Sequence, residues 1–234
     1  MMNEYTITPV GHINTPYKEK FAVPRQPNLV PSAHSQLILE GLANTPESVR
    51  EIEQFSHLWL LFLFDKNLEQ GWRPTVRPPR LGGNQRIGVF ASRATFRPNS
   101  IGMSAVKLER VELKEGQVIL HLSGVDLVDN TPIIDIKPYI PYSDIIEEAE
   151  GGFASDAPEL KTVTFNSASL QQLNSTSHCG YYQQVIMEVL AQDPRPAYKK
   201  NKPDTKEYAV HLFDFNVTFR INEQQIEVIN IESF

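Results

Sequence analysis

Short apolar runs, each ended by glycine, proline or asparagine, are the feature of this chain that most restricts its fold. Runs rich in Val, Ile, Leu and Phe with such boundaries are typical of β-strands. We predict strands at Tyr5–Asn14, Gln36–Leu39, Leu58–Phe64, Arg86–Ala91, Met103–Leu113, Gln117–Ser123, Thr131–Ile136, Ala209–Asp214, Asn216–Ile221 and Gln225–Ile231.

Two segments are predicted as helices. Pro46–Gln54 follows Thr45, a suitable N-cap, and begins with proline. Tyr181–Gln192 carries an apolar stripe that we expect to be packed. Many short strands without alternating long helices predict a mainly β chain, with an antiparallel β-barrel rather than a doubly wound sheet.

Several protein classes are excluded because their patterns are missing. The sequence contains neither the glycine-rich turn of dinucleotide-binding folds nor a P-loop. Its longest apolar run, Leu58–Phe64, has seven residues, whereas a membrane-spanning helix needs about 20. The N-terminus lacks a secretory signal, and Cys179 is the single cysteine. We therefore expect a cytoplasmic protein without a membrane partner.

A change of composition divides the chain. Residues Glu147–Glu159 are rich in acidic residues and contain two glycines and a proline. We predict a β-barrel domain at 1–145, an acidic linker at 146–160 and a small α+β domain at 161–234. The last domain should combine the helix at 181–192 with a three-strand meander.

Positive charge is concentrated in two stretches, although the net charge is −6. Gly71–Leu108 has seven basic residues and no acidic one, and Arg195–Lys202 adds four more. Such regions attract phosphates, and several of the arginines adjoin prolines that stiffen their loops. The candidate phosphate and base contacts are Arg73, Arg77, Arg80, Arg97, Arg195, Tyr198, Lys199 and Lys200. The alternative is that both stretches are solvated basic faces.

Residues 123–144 hold several acidic side chains among apolar ones. Asp135 and Lys137 have the same strand parity, so we expect a buried pair. His57 shares a strand face with Trp59, either as a core histidine or as a proton shuttle beside an aromatic wall. The carboxylates and histidines match no metal-ligand spacing, so no metal is predicted.

Several motifs together resemble one family. They are Gly11–Tyr17, Pro24–Gln26, Phe55–Trp59, Arg77–Arg80, Ile87–Ser104, Asp126–Pro132 and Asp135–Tyr139, with Ala191–Tyr198 near the C-terminus. The run at 87–104 is highly specific. The chain thereby resembles the tRNA N6-threonylcarbamoyladenosine methyltransferases, the TsaA-like or TrmO family. Ser100 and Asn130 depart from the usual Pro and Gly, and Asn tolerates the same positive φ as Gly.

The resemblance implies a non-Rossmann β-barrel methyltransferase that works as a homodimer. It implies S-adenosylmethionine as methyl donor and N6-methylation of threonylcarbamoyladenosine beside the anticodon of a threonine tRNA, so the partner is a tRNA anticodon arm. The donor-binding residues it implies are Arg25, Gln26, Pro27, Asp65, Lys66, Arg93, Met103, Asn130, Thr131, Pro132 and Ile133.

The acceptor nitrogen of that substrate is ureido-like and a poor nucleophile, so a group that removes its proton should matter. The sequence offers Asp135, Tyr139 and His57, in that order.

Two other functions remain open at this point. A barrel of this kind can bind RNA or a small ligand without catalysis. A methyltransferase acting on a small metabolite or a metal chelator would also fit the donor site.

Overall fold

The computed structural model describes residues 4–195, 206–222 and 225–234. The strands are β1 Gly11–Asn14, β2 His34–Leu39, β3 His57–Leu63, β4 Thr75–Val76, β5 Ile87–Gly88, β6 Ile101–Lys114, β7 Gln117–Ser123, β8 Thr131–Pro138, β9 Thr162–Phe165, β10 Glu207–Leu212, β11 Phe215–Ile221 and β12 Gln225–Ser233. The α-helices are α1 Pro141–Asp144, α2 Ser167–Asn174 and α3 Cys179–Ala191.

Six antiparallel strands form a closed barrel in the order β1-β2-β7-β6-β3-β8. Strand β3 shows why this sequence closes a barrel: Leu58, Leu60 and Phe62 are buried inside, and the residues between them are half-buried outside. This alternation repeats along the first half of β6. The predicted antiparallel β-barrel is confirmed.

The C-terminal part is a four-stranded sheet in the order β10-β11-β12-β9. Strands β10 to β12 form the predicted antiparallel meander, and α3 lies where a helix is expected. Strand β9, which pairs parallel to β12, and helix α2 are not among the elements predicted from the sequence. Helix α2 is short, and its start is fixed by the Asn166 side chain, which accepts a hydrogen bond from Ser169 N at 2.8 Å.

Two hydrophobic cores are present in the described residues. One fills the barrel. The other lies between α2, α3 and the C-terminal sheet, and it also includes Tyr17, Ala22, Val30 and Ala33 from the loop between β1 and β2. Tyr17 pairs through its backbone with Leu212 of β10. The loop from the N-terminal part is therefore packed into the C-terminal core.

Three predicted elements differ from the structure in type or by more than two residues at one end. Strand β1 is confined to Gly11–Asn14 instead of beginning at Tyr5. Pro46–Gln54 forms two separate 3-10 turns, because Glu51 adopts a left-handed backbone conformation with φ of 65°. Arg86–Ala91 has a two-residue strand followed by a 3-10 turn.

Among the described residues, none of the helices has the length and apolar character needed to cross a membrane.

Gly11 marks a close approach between β1 and β2. A Cβ at this position would lie 2.2 Å from the backbone oxygen of Ile38. Since a backbone oxygen held in a sheet cannot move aside cheaply, Gly11→Ala should lower the free energy of unfolding by about 1–3 kcal/mol. Urea unfolding measures this change.

Gly88→Ala is the matched control, because a Cβ at Gly88 meets nothing within 4 Å. Its free energy of unfolding should stay within about 0.5 kcal/mol of the parent protein. Equal stability of both variants would contradict the close approach at Gly11.

Candidate active site

A pocket of about 730 Å³ opens at the end of the β3–β6 pair, where the long connection 64–100 leaves the barrel and returns. Its wall is made by the end of β3, the start of β6, the loop residues 23–26 and 92–97, and residues 126–128. The aromatic rings of Phe62 and Phe64 meet edge to face at 5.2 Å in this wall. A pocket of this size and mixed lining suits a small organic ligand.

Gly102 lets the pocket wall close. It is paired with Phe62 across β3 and β6, and a Cβ at Gly102 would lie 2.3 Å from the Phe62 ring. Met103 follows it and is 55% exposed, although it lines the pocket. One wall therefore carries an apolar side chain that is open to solvent.

Lys20 fixes the turn that follows β3. Its Nζ donates hydrogen bonds of 2.9 Å to the backbone oxygen of Lys66 and to Asn67 Oδ1. Lys66 also pairs with Asp65 at 3.1 Å. These contacts hold Asp65 and Lys66 against the pocket in a set conformation.

Two arginines, Arg25 and Arg93, belong to the pocket lining. Arg93 is exposed, and its Nη1 donates to Gln26 Oε1 at 2.6 Å. Arg25 is also exposed, but partial desolvation lowers the pKa of its guanidinium, while Asp193 acts in the opposite direction. The pocket thus holds guanidinium donors suited to a carboxylate or phosphate.

Asp126 is a second acidic residue in the pocket lining, besides Asp65. Its Oδ1 accepts a hydrogen bond of 2.6 Å from Ser104 Oγ. Burial raises the pKa of the Asp126 carboxyl to about 6, although the Ser104 hydroxyl and Arg93 favour the charged form. A carboxylate with such a pKa can accept a proton near neutral pH.

Asp126 was not among the predicted site residues. It lies in the motif Asp126–Pro132, three residues after the end of β7, and this position just beyond a strand would have been the available clue.

The structure brings together most of the predicted donor-binding residues. The residues that line the pocket are Arg25, Gln26, Asp65, Lys66, Arg93, Met103 and Thr131. Pro27, Asn130, Pro132 and Ile133 do not line it. Ile133 is fully buried in the barrel core, and Pro132 is buried beside it in the wall. Asn130 has the expected positive φ, 65°, in the turn before β8.

The three predicted proton-removing residues lie apart from this pocket. Asp135 lines a second recess beside Lys137, with which it pairs at 3.0 Å. This pair is about half exposed, so the expectation that it is buried is wrong. The Tyr139 ring contacts both His57 and Trp59, with ring centroids 6.3 Å and 5.4 Å apart. Of these aromatic groups, Trp59 reaches the pocket wall.

The predicted phosphate-binding arginines have different surroundings. Arg73, Arg77 and Arg80 are exposed, and Arg73 lies 4.5 Å over the Phe96 ring. Arg97 is half-buried and donates to the backbone oxygens of Ser92 and Val89, at 2.7 and 3.4 Å. It therefore also shapes the loop around Arg93.

Arg195 is a correction to the predicted phosphate contacts. It is 1% exposed, and its Nε and Nη2 donate to both oxygens of Asp193 at 2.9 Å. A buried guanidinium held by a carboxylate is not available to phosphates. Tyr198, Lys199 and Lys200 lie outside the described residues.

Within residues 4–195, 206–222 and 225–234, no three His, Cys, Asp or Glu side chains are grouped so that they could hold a metal ion.

Matches to known proteins extend over nearly the whole chain. A family model described as the tRNA-methyltransferase O N-terminal domain matches residues 12–145, and the TrmO C-terminal domain matches residues 158–234. A tRNA (adenine(37)-N6)-methyltransferase of Escherichia coli K12 is 50% identical over 233 residues, 99% of each chain.

Two further relatives come from Pseudomonas aeruginosa. One protein, whose name proposes an S-adenosylmethionine-dependent methyltransferase, is 45% identical over 217 residues, 91% of each chain. The crystal structure of TrmO from this organism has a TM-score of 0.80 and 36% identity, and the match covers 99% of both chains.

Arg93 provides a test of the pocket. Arg93→Ala removes an exposed guanidinium and its bond to Gln26, so we expect weaker S-adenosylmethionine binding, by about tenfold or more, with an unchanged fold. Calorimetry measures the binding, and circular dichroism checks the fold.

Arg86→Ala is the control, because Arg86 is an exposed arginine that donates to Thr75 and does not line the pocket. Its donor affinity should match that of the parent protein. An Arg93→Ala protein that unfolds would instead assign Arg93 a structural role.

Proposed function

Because this chain belongs to the tRNA-methyltransferase O family, we propose that it methylates N6-threonylcarbamoyladenosine next to the anticodon of a threonine tRNA. The chain is an S-adenosylmethionine-dependent tRNA methyltransferase. The observation that carries the finer proposal is the pocket at the end of the β3–β6 pair, which combines a carboxylate, guanidinium groups and aromatic walls.

The residues of the pocket fit the methyl donor. S-adenosylmethionine has a positive sulfonium, a carboxylate and an adenine, and when bound it supplies a methyl group whose bonding electrons stay on the sulfur. Arg93 and Arg25 can bind the carboxylate. Phe64 and Phe96 provide aromatic walls for the adenine, and Asp126 offers an acceptor within the pocket.

Asp126 is our candidate for removing the proton of N6. As the N6–methyl bond forms, N6 becomes positively charged unless its proton leaves, and the ionised Asp126 carboxylate can take that proton. Ser104 holds the carboxylate in place through its hydroxyl group. As the proton acceptor, Asp126 thus replaces Asp135, Tyr139 and His57, the three candidates predicted from the sequence.

The surface beside the pocket supports binding of an anticodon arm. Arg73, Arg77 and Arg80 are exposed in a stretch without acidic residues, and Trp72 is exposed next to them. Guanidinium groups can bind RNA phosphates, and an exposed indole can stack on an unpaired base. The anticodon loop would then lie close to the mouth of the donor pocket.

A homodimer in the cytoplasm is the proposed working form. The exposed Met103 side chain in the pocket wall and the exposed Ile145 and Ile146 after α1 support this assembly, because a second subunit would cover these apolar surfaces.

Transfer of radiolabelled methyl from S-adenosylmethionine to tRNA tests the proposed function. We expect label in threonine tRNA that carries threonylcarbamoyladenosine and none in the same tRNA without that group. Tight RNA binding without incorporation would favour a non-catalytic binding barrel. Methylation of small molecules alone would favour a metabolite methyltransferase.

The role of Asp126 predicts a pH dependence. The pKa of about 6 means that the single-turnover rate should rise with pH below 6 and level off above 7, because the carboxylate must be ionised to accept a proton. Asp126→Asn should abolish this rise and lower the rate by about 10²- to 10⁴-fold. Donor affinity, measured separately, shows whether binding accounts for the loss.

Asp135→Asn is the comparison variant, since Asp135 lies in the second recess. It should keep the pH-dependent rise. If Asp135→Asn loses the rise and Asp126→Asn keeps it, the proton acceptor is Asp135.

A further inference from the structure

Helix α3 has a polar row along one side that faces the loop carrying part of the donor pocket. Tyr181 and Glu188 lie in α3, and Gln192 is its C-cap with helical backbone angles. They are seven and four residues apart, so with 3.6 residues per turn they lie within about 40° of one another. We refer to these three residues as the α3 polar row. The loop residues 25–34, which join the pocket to the start of β2, are called the donor loop.

The α3 polar row contacts the donor loop at three successive points. Tyr181 Oη accepts from His34 N at 3.1 Å. Glu188 accepts from Ser32 Oγ at 2.7 Å and from Ser32 N at 3.1 Å. Gln192 Nε2 donates to the backbone oxygen of Leu29 at 3.4 Å.

A fourth contact reaches the pocket itself. Arg25 Nη2 donates to the backbone oxygen of Arg195 at 3.4 Å. The position of Arg195 is set by its buried pair with Asp193, and Asp193 takes a left-handed conformation just after α3, with φ of 50°. From Tyr181 to Arg195 the contacts follow the donor loop backwards, from His34 to Arg25, so the two segments run antiparallel.

The opposite side of the donor loop faces the barrel. Arg93 donates to Gln26, and Asn28 N donates to the backbone oxygen of Gly124 at 2.9 Å. Val30 and Ala33 are buried in the C-terminal core. The donor loop is therefore held between the two cores. Leu29 and Ser32 lie outside the strands, so their backbone groups have no partner in a sheet and can bond to α3 instead.

From this arrangement we propose that Glu188 is a positioning residue for the methyl donor: with the rest of the α3 polar row, it sets the donor loop so that Arg25 and Gln26 face the pocket. The C-terminal part of the chain thus contributes to donor affinity without touching the donor. This inference rests on the proposed use of the pocket for S-adenosylmethionine.

Glu188 is the best single point at which to test it, because its carboxylate accepts both bonds from Ser32 and one from Gln184 Nε2 at 2.8 Å. Glu188→Ala should raise the Kd for S-adenosylmethionine about tenfold, and Ser32→Ala about threefold. Glu188→Gln keeps an acceptor and should stay within about threefold of the parent protein. Calorimetry on the full chain gives the Kd and the fraction of protein able to bind.

Kinetics separate positioning from mere stability. In Glu188→Ala the KM for the donor should rise with the Kd, whereas kcat and the KM for tRNA should change less than about twofold. The control is Gln183→Ala, on the same helix but about 140° around it from Glu188, which should leave the donor Kd unchanged.

The outcomes are distinct. The inference is overturned if Glu188→Ala has lower thermal stability and a smaller binding fraction but an unchanged Kd for S-adenosylmethionine. If Glu188→Ala does not fold, an unchanged Kd in Ser32→Ala overturns it. If the parent protein itself does not bind S-adenosylmethionine, the proposed donor site fails. If the parent binds and Glu188→Ala binds equally well, only the role of the α3 polar row fails.

Discussion

The pairing between the end of β3 and the start of β6 is the constraint on which the rest of this structure depends. It closes the barrel and at the same time forms the pocket, since Phe62 pairs with Gly102 and Leu60 with Ser104. Gly102 leaves room for the Phe62 ring, and Ser104 holds the Asp126 carboxylate. The pocket that we propose for the methyl donor is thus a consequence of barrel closure, and it would let a chain without a dinucleotide-binding fold bind a nucleoside-containing methyl donor.

Much of the barrel could be predicted from the sequence because its strands have a clear period of two. Strand β7 was predicted with its observed bounds, and β3 and α3 within two residues at each end. Local conformation was less predictable: the positive φ of Glu51 interrupts an apparent helix. Strand β9 and α2 escaped because four to eight residues give too short a pattern, and β9 depends on its pairing with β12.

The acidic and basic residues show the limit of charge patterns. Asp126 and Asp135 belong to neighbouring motifs and look alike in sequence, yet one is enclosed in the pocket and the other is paired with Lys137 in a half-exposed recess. Arg77 and Arg195 both adjoin proline, yet the first is exposed and the second is buried against Asp193. Burial and the bonding partner distinguish Asp126 from Asp135 and Arg77 from Arg195. Both properties depend on how the chain folds, which the local charge pattern does not show.

The loop between β1 and β2 joins the two cores, and the same loop supplies Arg25 and Gln26 to the pocket lining. Irregular backbone must find hydrogen-bond partners outside itself, and the donor loop finds them on α3 on one side and on the barrel on the other. Val30 and Ala33 add apolar contacts to the C-terminal core. A loop held from both sides keeps Arg25 and Gln26 in a fixed conformation before the ligand arrives, which reduces the entropy lost on binding. The C-terminal part therefore has a physical reason to be attached to this barrel that is independent of any contact with RNA.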